Sequence, residues 1–206
     1  MVFRELAFFG AFNPPTVAHL DLALFAMERT GARRVLFVPS GKRYILNDQG
    51  KDLAYSDSER VAMLRAAAEK RPWMTVIDWE TRQETQPRTY ATLCHLREEG
   101  YQPALLIGSD KLAEMEHAWR YVPEIAREFG IVCLTRGADE CDAMIAGSPF
   151  LSALRDDIRV IETPESTRSV SSTRARQCVA AIRALREELD ALVPGEIQPY
   201  LWGKGR

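Results

Sequence analysis

Cysteine is sparse in this 206-residue chain: Cys94, Cys133, Cys141 and Cys178 lie far apart, with no C-x-x-C pair among them. That spacing argues against a disulfide framework or a zinc site and for a reduced, cytoplasmic protein. No apolar run is long enough to span a bilayer, and Met1 leads into a strand-like segment rather than a signal peptide, so no membrane partner is expected. Net charge is nearly absent too, at −2 from 27 basic and 29 acidic residues. So small a charge gives no global pull toward nucleic acid, and any basic site must be local. There is no G-x-G-x-x-G turn and no G-x-x-x-x-G-K-[ST] loop, which removes most of the support for hydride transfer and for P-loop hydrolysis. No Asp/Glu cluster suggests a metal held by the protein itself. Internal repeats and low-complexity linkers are missing as well.

What is present is enough apolar material for a substantial core: 46% of residues are hydrophobic, against 12 Gly and 11 Pro. A single domain over residues 1–206 is expected. Apolar and β-branched runs alternate with helical patterns. Strands are predicted at Leu6–Phe9, Arg34–Pro39 ("RVLFVP"), "WMTVIDW", "PALLIG", "GIVCLT" and "IRVIE". Helices are predicted at Thr16–Arg29, closed by Gly31, from Ser56 onward with Glu59 at capping-box spacing, and at Tyr90–Glu99. Further helices are expected at Pro123–Phe129, Asp139–Ala146 and Ser172–Leu192. This order predicts an α/β fold: a doubly wound, Rossmann-like parallel sheet with right-handed crossovers and C-terminal helices. Ligands of such sheets bind beyond the C-terminal strand ends. Gly10–His19, Gly41–Lys51 and Gly108–Asp110 all fall at that edge.

Three stretches there carry chemistry. In "GAFNPPTVAH", Asn13 is read as a helix cap with Pro14 and Pro15 at the first helical positions, and Thr16 and His19 share one face a turn later. A helix start beside a strand-end crevice is an anion site, most often for phosphate. In "SVSSTRARQ", Ser171 and Ser172 cap the last helix, and Thr173 and Arg176 share a face from which Arg174 is turned away. Hydroxyls, N–H groups and a guanidinium there make a second phosphate cradle. Together the two cradles suit the two ends of a triphosphate. In "LLIGSDKL", Gly108 allows close approach to the backbone and Asp110 is positioned to accept from ribose hydroxyls. Trp119, with Trp79 and Tyr90 near strand ends, is a candidate ring platform against a default reading as core. Lys42, Arg43 and Lys51 put three cations in the aperiodic loop after the second strand, which is expected to close over substrate.

These segments resemble a known family. "GAFNPPTVAH" fits the G-x-F-x-P-x-[HT]-x-x-H signature of the nucleotidyltransferase superfamily, and "VSSTRAR" is similar to its I-S-S-T-x-x-R motif. More narrowly, "LLIGSD", "AWRYVPEIAREFGIVCLTRGAD" and "LVPGEIQPYL" resemble segments of nicotinamide/nicotinate mononucleotide adenylyltransferases. The matches run in family order from about Phe8 to Leu201. The resemblance implies that His19 contacts the ATP phosphates and stabilises the transition state, with Thr16 beside it. It implies that Gly10, Ala11 and Phe12 line the nucleotide path, and that Gly108 and Asp110 hold the ribose. Ser171, Ser172, Thr173 and Arg176 are implied to grip the polyphosphate. Trp119 is implied to stack on the pyridine ring, and the expected mononucleotide side also includes Thr89, Tyr90, Lys42, Lys51 and Arg136. Thr16 stands where many bacterial relatives have His, and Ala18 where many have Gly. "PSGKRY" replaces the PPH[KR] of nicotinate-specific bacterial enzymes.

The implied reaction joins ATP to nicotinate or nicotinamide mononucleotide, with Mg²⁺ carried in on the ATP phosphates and no protein-held metal. Partners are then the two nucleotides, with a second copy of the chain as a further candidate. Transfer to another phosphate acceptor, such as phosphopantetheine or a cytidylyl-transfer substrate, is the alternative within enzymes. A non-catalytic nucleotide-binding regulator is the alternative outside them. An aminoacyl-tRNA synthetase is disfavoured because the chain leaves no room for a tRNA-binding domain.

Overall fold

Among the described residues, short β-branched runs bounded by helical stretches form six strands, β1 (Glu5–Gly10), β2 (Arg34–Pro39), β3 (Met74–Val76), β4 (Pro103–Gly108), β5 (Ile131–Leu134) and β6 (Ile158–Ile161). The structure, a computed structural model, describes residues 2–42, 45, 54–135, 141–163 and 172–192. All neighbouring strands pair in parallel, in the order β3-β2-β1-β4-β5-β6. This is the doubly wound order, which reverses direction between β1 and β4. The β1–β2 ladder runs as far as Gly10↔Pro39, whereas the β1–β4 ladder stops at Phe8↔Leu106. A crevice therefore opens on the β4 side of the end of β1.

Side chains alternate across the strands, so each face feeds its own core. Leu6, Phe37 and Leu106 pack with Leu20, Ala23 and Ala26 of helix α1 (Val17–Thr30) and Leu64 of α2 (Asp57–Ala68). Ala7, Leu36 and Leu105 pack on the other face. Their partners there come from α3 (Thr89–Glu98), α4 (Ser109–Ala118), α5 (Val122–Phe129), α6 (Cys141–Gly147) and α7 (Pro149–Ser152). The last described element is α8 (Ser172–Leu192). The spacing that predicts α5 is visible in its burial, since Val122, Ile125, Ala126 and Phe129 form one covered stripe. Among the described residues no helix is long and apolar enough to cross a membrane.

Three expectations are corrected. The third strand keeps only Met74–Val76, and Trp79 lies beyond it, stacked on His95 with centroids 4.4 Å apart. Helix α4 is an addition: it begins immediately after β4, with Gly108 as N-cap, so no turn residues announce it. Helix α1 begins at Val17 rather than at the prolines. Thr16 is its N-cap, and the Asn13 carboxamide is used elsewhere, its Oδ1 accepting from the N–H groups of Ala54 and Tyr55 at 3.2 Å. The first i→i−4 bond of the helix runs from Leu20 N to Thr16 C=O, which makes Thr16 the cap. The Ser56–Glu59 capping box of α2 forms as its spacing predicts, with Ser56 N donating to Glu59 Oε2 at 2.7 Å.

Candidate active site

The end of β1 turns through Ala11–Pro15 into α1, and this turn is held from four directions. Gly10 C=O accepts from Ser40 N at 3.0 Å, beyond the last residue of β2. Ala11 C=O accepts from Nη1 of Arg60 on α2. Asn13 C=O accepts from Nη1 of Arg176 at 2.8 Å, and Pro14 C=O from the Ser172 hydroxyl at 2.8 Å. Phe12 sits at φ 44°, a strained backbone for an aromatic residue, with its ring buried over Gly10. A Cβ on Gly10 would lie 3.1 Å from Phe12 Cζ, so any larger residue there would push the buried ring aside by a few tenths of an ångström.

At the start of α1, Thr16 N donates to His19 Nδ1 at 3.0 Å, and the Thr16 hydroxyl lies 2.8 Å from the same nitrogen. An Nδ1 that accepts a backbone N–H carries a lone pair, so the neutral ring bears its proton on Nε2. The half-buried ring also packs edge-on against Phe12, with centroids 5.2 Å apart. Packing and cap together fix the direction in which Nε2–H points. At the start of α8, Arg176 Nη2 reaches the Thr173 hydroxyl at 3.3 Å while Nη1 holds Asn13. The two helix starts that the sequence treats separately thus meet on one turn. Their dipole ends and one guanidinium make this corner electropositive.

The other expected residues are hydrogen-bonded to that turn by no contact described. Gly108 ends β4 and Asp110 is exposed in the first turn of α4. Trp119 ends α4 and is half-buried against the core of that face. Thr89 is the first residue of α3, and the Tyr90 hydroxyl beside it donates to Glu128 at 2.8 Å. That bond to a carboxylate, with smaller contributions from burial and Cys94, pushes the Tyr90 phenol up to about 12. Its ring stacks on Tyr121, with centroids 5.4 Å apart. Lys42 is exposed, and its backbone N–H donates to Asp57 Oδ2 at 3.2 Å. Lys51, Arg136 and Ser171 lie outside the described residues, as does most of the Gly41–Lys51 loop expected to close over substrate. Among the described residues no group of three or more His, Cys, Asp or Glu side chains is arranged to hold a metal ion.

Two buried charged groups escape a reading of the sequence. Arg60 is fully buried on α2. Its one legible sign is position, since it shares the stripe of Leu64 at i+4, where an apolar residue is expected. Glu80 is 2% exposed, and its carboxylate accepts from the Thr92 hydroxyl at 2.7 Å and from Gln86 Nε2. Gln86 Oε1 in turn accepts from Gly41 N at 2.9 Å, tying the end of β2 to the segment before α3. Burial raises the Glu80 carboxyl from 4.5 to about 7, against the two donated bonds that favour ionisation. A raised value means that the folded state binds this proton more tightly than the unfolded chain does. The stabilising contribution is therefore complete below about pH 4.5 and is lost as pH rises through 7. Between pH 5 and 7.5 the protein should lose roughly 2 kcal/mol relative to Glu80→Gln. Urea midpoints of both proteins across that window measure it, and parallel profiles would contradict the assignment.

A family model described as Cytidylyltransferase-like matches residues 7–178, from within β1 through the start of α8. The chain belongs to the cytidylyltransferase-like family. Among curated members related to this cytidylyltransferase-like chain, a probable nicotinate-nucleotide adenylyltransferase of Roseiflexus sp. (strain RS-1) is 31% identical over 192 residues, covering 93% of each chain. The nicotinamide/nicotinic acid mononucleotide adenylyltransferase of Arabidopsis thaliana is 29% identical over 187 residues, 83% of this chain and 77% of that one. In fold, the cytidylyltransferase-like chain is similar to Plasmodium falciparum nicotinic acid mononucleotide adenylyltransferase complexed with NaAD. The TM-score is 0.64 at 20% identity, over 84% of this chain and 83% of that one.

Proposed function

We propose that this protein transfers the adenylyl group of ATP to nicotinate or nicotinamide mononucleotide, forming the dinucleotide and pyrophosphate. The observation that carries the reading is the junction of two helix starts on one turn, through Arg176 to Asn13 C=O and Ser172 to Pro14 C=O. The names of the relatives supply the substrate class. In the proposed reaction the mononucleotide's 5′-phosphate oxygen attacks the α-phosphorus of ATP in line. The bond to the β-phosphate bridging oxygen breaks, and pyrophosphate leaves with that electron pair. The nucleophile is already an anion, so no side chain has to remove a proton. What remains for the protein is positioning and charge stabilisation.

Each proposed role follows from position. His19 donates Nε2–H to a phosphoryl oxygen, oriented by Thr16. Gly10, Ala11 and Phe12 line the path beside it, and Arg176, Ser172 and Thr173 hold the far end of the triphosphate, with Ser171 assigned by motif. Gly108 and Asp110 take the adenosine ribose at the end of β4. Trp119, Thr89, Tyr90, Lys42, Lys51 and Arg136 are proposed for the mononucleotide. The divalent ion, Mg²⁺ in this proposal, belongs to the MgATP substrate and offsets phosphate charge.

Both mononucleotides carry a pyridinium ring, which an indole face attracts by about 0.5–2 kcal/mol without reading carboxylate from carboxamide. We therefore expect kcat/KM for the two within roughly a hundredfold, about 3 kcal/mol. Trp119→Ala should lower both to a similar extent and leave the KM for ATP nearly unchanged. Assays of dinucleotide formation with each mononucleotide, on one preparation, measure all of this. Loss confined to one substrate would make Trp119 a reader of the ring substituent, and no loss would return it to the core. Failure to release pyrophosphate from MgATP with either acceptor would overturn the proposed reaction.

A further inference from the structure

Arg60 presents an unusual arrangement of charge. Among the described residues it is the bulkiest fully buried side chain. Its one ionic partner among the described residues is Asp57 Oδ1 at 2.6 Å, on a side chain that keeps 29% of its surface exposed. Two further donors go to backbone, Nη1 to Ala11 C=O and Nη2 to Ser40 C=O, while Nε is buried with no hydrogen-bond partner. Burying a cation in this way is costly, and helix α2 would pack as well with an apolar residue in that stripe. The two carbonyls it holds follow the ends of β1 and β2, and Ser40 N closes the ring by donating to Gly10 C=O.

The consequence lies on the opposite side of each peptide plane. In a trans peptide the N–H of the next residue points opposite to the C=O. The only cis peptide bond described is Asn13–Pro14, so the Gly10–Ala11 and Ala11–Phe12 peptides are trans. Strand β1 lies between β2 and β4. Gly10 C=O points toward β2, which sends Ala11 N–H toward β4, beyond the last β1–β4 pair, where the crevice opens. Ala11 C=O, drawn into the interior by Arg60, turns Phe12 N–H away from that interior. Successive N–H groups held in a turn form a concave anion site. The left-handed φ of Phe12 persists only if its surroundings over-determine it, and the Arg60 fork is one such constraint.

We infer that Arg60 is a positioning residue for adenylyl transfer: by fixing Ala11 and Ser40 with one rigid fork, it aims the Ala11–Phe12 peptide N–H at the phosphoryl group in transit. The inference rests on the proposed function and names a residue of α2 that touches no substrate. Lysine keeps the charge but offers a single ammonium in place of a planar fork, so it cannot hold both carbonyls and Asp57 in the same geometry.

The test compares Arg60→Lys with wild type for kcat in dinucleotide formation and for the Kd of Mg²⁺·α,β-methylene-ATP, at a temperature well below both unfolding midpoints. A positioning role predicts kcat down roughly tenfold or more, a fraction of the 10²–10³ that loss of a preorganised donor costs. The analogue's Kd should stay within about threefold, because positioning acts chiefly in the transition state. Unchanged kcat per folded molecule, with only a lowered midpoint, would make Arg60 a structural residue and overturn the inference. So would a proportional loss in analogue affinity. If Arg60→Lys does not fold, Asp57→Ala takes its place, because it removes the carboxylate that braces Nη2 and so loosens the fork. The same split between kcat and Kd is then expected, and no change in kcat overturns the inference. A wild type inactive with both mononucleotides overturns the adenylyl-transfer reading and this inference with it; an active wild type beside an unaffected variant overturns this inference alone.

Discussion

His19→Ala should lower kcat by roughly 10²–10³, the range for losing one preorganised hydrogen-bond donor. The size of the effect follows from the ring's restraint. Thr16 N–H occupies Nδ1 and Phe12 packs against the ring, so Nε2–H is aimed before substrate arrives. The same histidine also helps to cap α1, and alanine removes both functions at once. Two further substitutions separate them. His19→Asn keeps an acceptor near the position of Nδ1 but has nothing at Nε2. It should be as slow as alanine while recovering about 1 kcal/mol of helix capping. His19→Gln reaches the Nε2 position with an amide N–H and should recover part of the rate. Steady-state rates with urea unfolding of the three variants measure both quantities. Near-normal kcat in His19→Asn would assign the residue to capping and remove it from the chemistry.

Arg176→Ala should lower kcat/KM for ATP by about 10- to 100-fold, as expected when a charged hydrogen-bond partner worth about 1.5–3 kcal/mol is lost. Its guanidinium both supplies charge and holds Asn13 C=O, so the change loosens the turn as well as the triphosphate grip. Arg174 is two residues earlier and exposed on another face of α8. Arg174→Ala should therefore change kcat/KM by less than about threefold, since positions two apart on a helix do not face one another. Equal losses from both arginines would show that the helix start acts through its general charge rather than through one directed side chain.

The parts of this site that the sequence reveals are those whose physics is local. Thr16 with His19 and Thr173 with Arg176 are i, i+3 pairs at helix starts, so spacing alone places them on shared faces. The parallel sheet is legible for the same reason, because six short apolar runs alternate with helical patterns. The Asn13 cap is misread because the competing donors, Ala54 and Tyr55 N–H, are more than forty residues away. Helix α4 is missed because Gly108 serves as strand end and helix cap in one residue. Arg60 and Glu80 read as ordinary polar residues. Their burial depends on partners 49, 20 and 12 positions distant, and no periodicity records such partners.

The turn at residues 10–14 is synthesised before every group that claims its carbonyls: Ser40, Arg60, Ser172 and Arg176. A growing chain that ends before Arg176 has the residues of the turn without the side chains that shape it. Long-range tethers of this kind form only after the intervening chain has been ordered. Nucleotide affinity should therefore emerge late in synthesis, all at once, rather than in proportion to the length made. ATP then binds the finished fold in preference to any fragment and stabilises it by mass action. In a cell rich in ATP, the substrate would act as a selective stabiliser of complete molecules, leaving prematurely terminated chains to unfold and be degraded.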